Sequence, residues 1–119
     1  MRIDWQEKIT KRPLMGLRCV VVRHPQHDEA WTLAVPVCSS ASIREYVGVW
    51  ASRQVAIHER RLVRAACWQA IVAGLARRAN VLRSEGKRER TVQCTKAMVR
   101  CIRRANAETN LALAGRRLA

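Results

Sequence analysis

Residues 42–84 read SIREYVGVWASRQVAIHERRLVRAACWQAIVAGLARRANVLRS, and this stretch decides the fold. Ser42 and Glu45 stand at the spacing of a capping box, in which a serine hydroxyl and a carboxylate satisfy the free N–H groups of a helix start. On a helical wheel Ile43, Tyr46, Val47, Trp50, Ile57, Trp68, Ile71, Val72, Leu75 and Leu82 fall on one stripe. The pattern predicts a long helix over 42–84 with a buried apolar face. Gln54, His58, Arg61 and Arg64 dilute that face in its middle, which predicts a kink near 52–60 or a departure from the core.

Working toward the N-terminus, the period changes. Leu17–Arg23 (LRCVVVR) and Trp31–Val37 (WTLAVPV) are rich in β-branched and aromatic residues and are separated by His24–Glu29. They predict a β-hairpin over 17–38. Pro36 cannot donate to a ladder, so the second strand is expected to lie at an edge or to end there. Residues 1–13, closed by Lys11, Arg12 and Pro13, are expected to be a short N-terminal arm or a single helical turn anchored by Trp5.

Toward the C-terminus, Gly86 within SEGKRER stops the long helix. A second helix is expected over 91–114, with Gly115 as its terminator. Its expected buried face is Met98, Val99, Ile102, Ala105, Thr109 and Leu113, bordered by Cys94 and Cys101. A short link makes the two helices antiparallel. The expectation is therefore one α+β domain spanning 1–119, an N-terminal hairpin packed on a long helix and an antiparallel C-terminal helix. So much helix in a short chain leaves apolar surface over, and a homodimer through the helices is one way to cover it.

With 23 Lys and Arg against nine Asp and Glu, the formal charge is +14. Nineteen of the cations are arginines, whose planar donor forks suit phosphate. A compact body so charged repels itself unless an anionic partner relieves it. Lys96, Arg100, Arg103 and Arg104 recur on the outward face of the last helix, and Lys87, Arg88 and Arg90 extend the positive field past its start. Such a row can follow a phosphate backbone, although charge runs are commonly just solvated faces. Arg60, Arg61, Arg64, Arg77 and Arg78 form a second basic set. Arg61 and Arg64 sit where apolar residues belong, so they either pair with Glu59 or Glu108 or, with Arg77 and Arg78, meet a partner or nucleic acid.

No export signal is visible, because Asp4, Glu7 and Lys8 interrupt the first residues, and the uncharged run Ala30–Ile43 is too short to span a bilayer. A cytoplasmic protein without membrane attachment is expected. Five cysteines without framework spacing read as reduced thiols. Cys19, His24, His27 and Cys38 offer two sulfur and two nitrogen ligands, but their spacing lacks the close C-x2-C pair of zinc sites, so no metal is expected. No Gly-rich phosphate loop, paired-carboxylate motif or nucleophile signature appears, so neither catalytic residues nor a cofactor is expected. Trp50 and Trp68 share the long stripe and are expected in the core, whereas Trp5 and Trp31 are open to stacking or packing roles.

These observations point to a small basic accessory or regulatory protein of a bacterium or phage. It is expected to bind DNA or RNA through Arg and Lys contacts to phosphates. Two alternatives stand beside it: an interaction module or inhibitor that docks on an acidic protein surface, and a structural component of a virion or ribonucleoprotein.

Overall fold

The computed structural model describes Ile9, residues 11–38 and residues 43–118, the last three as backbone only. A single helical turn, α1 (Pro13–Gly16), leads into three strands, β1 (Val20–Arg23), β2 (Trp31–Pro36) and β3 (Arg44–Trp50). Two long helices follow, α2 (Arg53–Ser84) and α3 (Arg88–Leu118). The fold is α+β: an antiparallel sheet in the order β1-β2-β3 packs on a helical hairpin.

The expected hairpin forms, with Val21 opposite Leu33 and Arg23 opposite Trp31. Pro36 is the last residue of β2, but β2 is the central strand of the sheet and not an edge. The reason is β3. Residues 44–50 were expected in the long helix and instead pair with β2, Leu33 opposite Val47 and Ala34 opposite Tyr46. The capping box is overturned with them: its serine lies outside the described residues, and its Glu45 is in a strand. Ile43, Tyr46, Val47 and Trp50 satisfy helical spacing by coincidence, and the pairing energy of an otherwise open sheet edge outweighs it.

A bulge in β3 sets two of its residues, Gly48 and Val49, opposite the single Thr32 of β2. Gly48 has φ +80°, and the Trp50 ring lies where a Cβ would stand. Only glycine meets both demands. The helix begins at the position where a kink was expected. Ser52, in extended conformation, accepts a hydrogen bond from the Gln54 N–H at 3.2 Å and is the actual N-cap. What looked like a kink near 52–60 is thus a strand-to-helix junction.

The main core joins Ile9, Cys19, Leu33, Val35, Val47, Val63 and Cys67, with Leu17, Val21 and Trp50 packed against it. Gly16 sits so close to Cys67 and Ile9 that any side chain there would overlap both. A second cluster of Ala79, Leu82 and Cys94, with Leu75 against it, joins the far end of α2 to the beginning of α3. The sheet therefore covers the first half of α2, and beyond it the helices project as an arm, the whole molecule measuring 56 × 34 × 30 Å.

The arm turns through a Schellman motif. Gly86 has φ +74°, its N–H reaches the Arg83 carbonyl at 3.1 Å, and the Lys87 N–H reaches the Leu82 carbonyl at 3.0 Å. The second helix is longer than the expected 91–114, running from Arg88 to Leu118.

Its buried face is also corrected. Val99, Ile102 and Leu113 are exposed, while Cys94, Ala105 and Ala112 are buried and Met98, Cys101, Glu108 and Gly115 half-buried. Small side chains let the two backbones approach closely, and the Cys94 thiol lies 3.2 Å from the Leu75 carbonyl. Larger residues on that side would hold the helices apart.

Candidate nucleic-acid interface

The arm carries the densest charge in the chain. Between Arg77 and Arg104 stand ten cations and only two acids, Glu85 and Glu89. Arg77, Arg78, Arg83, Lys87, Arg88 and Arg90 are exposed around the turn, and Lys96, Arg100, Arg103 and Arg104 are exposed along α3. Glu85 is taken by Lys87, Nζ to Oε2 at 2.9 Å, an exposed pair worth little to stability. Lys96, Arg100, Arg103, Arg88 and Arg90 make no ion pair with any described residue.

Helical geometry sets their spacing. Lys96, Arg100 and Arg103 follow one another by four and three residues, so they rise about 10 Å along one side of α3. At the turn an open depression of about 480 Å³ is lined by Arg83, Gly86, Lys87, Arg88, Thr91 and Val92. Thr91 Oγ1 donates to the Lys87 carbonyl at 2.8 Å and steadies this first turn of α3. Arg104 differs from its neighbours in the row: its guanidinium carbon lies 5.2 Å from the centre of the Trp68 ring. Trp68 is half-buried on α2, separate from Trp50 at the end of β3, so the two do not share a helical stripe.

The basic set on the first half of α2 divides in two. Arg64 Nε donates to Glu108 Oε1 at 2.8 Å, and its Nη1 donates to the Leu17 carbonyl. Arg60 Nε donates to the Cys19 carbonyl at 2.7 Å. These two arginines tie the helical hairpin to the start of β1. Arg61 is half-buried beside Gly115. Arg77 and Arg78 lie on the arm and join the exposed field. Sequence alone did not separate these roles, because the carbonyls of Leu17 and Cys19 that hold Arg64 and Arg60 come from a loop more than 40 residues away.

A further basic group lies at the end of the sheet. Arg23 and Arg53 place their guanidinium carbons 4.8 and 5.8 Å from the Trp31 ring centre. Trp31 is half-buried under them, and Trp5 lies outside the described residues. Composition gave no hint of this group, since its members are far apart in sequence and meet only through the β1–β2 register and the start of α2.

The remaining candidate chemistry is dispersed. Cys19 is buried in the core and Cys38 is exposed, while His24 and His27 contact each other with ring centres 4.4 Å apart. Among the described residues no three metal-ligating side chains group together. Cys19, Cys67, Cys94 and Cys101 are in no disulfide. Burial, with the Cys19 thiol nearby, pushes the Cys67 thiol up to about 11 despite Arg64. Burial also raises Cys19, against the opposing pull of Arg60 and Arg64. Both are therefore neutral thiols near pH 7 and poor nucleophiles. Among the described residues no helix is long and apolar enough to cross a membrane. No protein-family model matches the chain, and no curated protein or solved structure is significantly similar to it.

Proposed function

We propose that the protein binds nucleic acid through phosphate contacts made by the arm, as an accessory or regulatory factor and not as an enzyme. The observation that carries this is the exposed row Lys96, Arg100 and Arg103, continued by Arg88 and Arg90, with no ion pair to any described residue. Unpaired like charges held in register along a rigid helix repel one another. A polyanion relieves that repulsion and releases its condensed counterions. The row presents guanidinium groups without a neighbouring acid to orient them toward one base, so affinity comes from the backbone and base readout is slight.

Fluorescence anisotropy with labelled DNA and RNA duplexes and single strands tests this. With about six phosphates contacted, affinity falls by roughly a thousandfold between 50 and 200 mM salt. Lys96→Ala/Arg100→Ala/Arg103→Ala abolishes most of the binding while leaving the fold intact. An affinity flat in salt, or unchanged in the triple variant, removes the proposal.

A further inference from the structure

Helix α3 has three faces, of which only one is packed on α2. The face that meets α2 is small, with Cys94, Ala105 and Ala112 buried. The larger apolar residues were left on a second face. Val92 is 52% exposed, Val99 42%, Ile102 39% and Leu113 47%. With Thr95, Asn106 and Thr109 they recur at alternating steps of three and four from 92 to 113, the repeat by which one helix seats another. Four of these seven positions are apolar, with Val92, Val99 and Ile102 close together, and exposed apolar residues aligned on a protruding arm mark an interaction site. The third face is basic. Lys96 and Arg103 each stand four residues after a stripe residue, Val92 and Val99, and so flank the stripe directly.

We propose that this stripe docks an acidic amphipathic helix of a protein partner, with apolar anchors at Val92, Val99 and Ile102 and carboxylates facing Lys96 and Arg103. Charge decides the occupant. Between 92 and 113 the one acid is Glu108, which Arg64 of α2 already holds, so a second copy of this chain has no unengaged carboxylate to offer at the level of the stripe. An antiparallel copy centred on Ile102 would set two Arg103 side chains side by side, between bodies of charge +14 each. A helix with apolar residues at the same period and Glu or Asp at its flanks buries the stripe and neutralises the row in one step. This site is independent of the proposed nucleic-acid contacts except at Lys96 and Arg103, which both ligands use. The partner helix and nucleic acid therefore compete.

The test uses the full chain and a synthetic four-heptad peptide with leucine at the two core positions of each heptad and glutamate at the flanking ones. The labelled peptide is expected to bind one to one. Val99→Ser/Ile102→Ser weakens it at least tenfold, Lys96→Glu/Arg103→Glu does the same, and a peptide with lysine in place of glutamate does not bind. Val99 and Ile102 are exposed, so the fold should survive, as circular dichroism will verify; Val92→Ser serves as a second stripe variant. Nucleic-acid binding by the serine variants stays intact, so failure of one proposal is distinguishable from failure of the other. The docking proposal is overturned by absence of peptide binding, or by binding that the serine variants leave unchanged, which is charge attraction alone. It is equally overturned if sedimentation shows a dimer that the serine variants dissociate, or if anionic phospholipid vesicles capture the protein in a manner those variants abolish.

Discussion

Arg64 and Glu108 meet across the two long helices, Nε to Oε1 at 2.8 Å, with both side chains about one-fifth exposed. The same guanidinium donates to the carbonyl of Leu17. One side chain thus joins α2, α3 and the segment entering β1, and its neighbour Arg60 repeats the device on the Cys19 carbonyl.

Removing Arg64 leaves a carboxylate and a backbone carbonyl with little access to water. Arg64→Ala is expected to destabilise the fold by roughly 2–3 kcal/mol, between the cost of a lost charged hydrogen bond and that of a fully buried broken pair. Glu108→Gln keeps an acceptor in place and costs about 1 kcal/mol. Urea unfolding followed by tryptophan fluorescence checks both. Equal losses in the two variants would show that charge, and not the Leu17 contact, holds the junction.

Gly16 offers a test of the core at a position with no side chain to lose. A methyl group there overlaps the Cys67 sulfur and an Ile9 methyl, both inside the main cluster. Gly16→Ala should cost about 1–3 kcal/mol by overpacking, even though alanine ordinarily stiffens a helical turn favourably. The double variant Gly16→Ala/Cys67→Ala should recover part of that loss, since the smaller side chain vacates the space. A denaturation midpoint unchanged by Gly16→Ala would contradict the packing.

The buried thiols make stability fall in alkali. Cys67 ionises near 9.0 when unfolded and at about 11 in the fold, because burial disfavours the thiolate. Between those values the unfolded chain has released its proton and the folded one has not, so rising pH favours unfolding. The contribution is complete below the unfolded value and is lost as pH rises through the folded one, about 2–3 kcal/mol in all for a shift of that size. Melting temperature measured from pH 8 to 11 should decline, and Cys67→Ala should flatten part of the decline. An identical slope in wild type and variant would assign the alkaline loss elsewhere.

The parts of the fold that read correctly from sequence are those whose pattern is local. VVVR and WTLAVP are short apolar runs rich in β-branched and aromatic residues, and Gly86 occupies the left-handed turn its position implied. Residues 44–50 failed because Tyr46, Val47 and Trp50 satisfy a helical period as well as a strand. The cues that favoured a strand were Gly48 among β-branched residues and Ser52 as a later cap. On α3 the size of Val99 and Ile102 argued for burial, but close approach to α2 selects Cys94, Ala105 and Ala112. Helical spacing placed Lys96, Arg100 and Arg103 together on the page, whereas Arg23, Trp31 and Arg53 needed the sheet register to meet.

Arg100 and Arg104 stand one helical turn apart and are expected to behave differently. Arg100 is exposed without an ion pair, so Arg100→Ala removes about one phosphate contact and reduces the slope of log affinity against log salt by about one unit. Arg104 rests on the Trp68 ring, which holds its charge near α2 and away from the outermost line of the row. Arg104→Ala should therefore change the salt slope less than Arg100→Ala does. It should instead lower stability by about 0.5–1 kcal/mol, the worth of an exposed cation over an aromatic face, and alter Trp68 emission. Anisotropy titrations at four salt concentrations, paired with thermal unfolding of each variant, separate the two effects. Equal salt slopes for the two variants would place Arg104 in the row as a full phosphate contact, with the indole serving only to orient it.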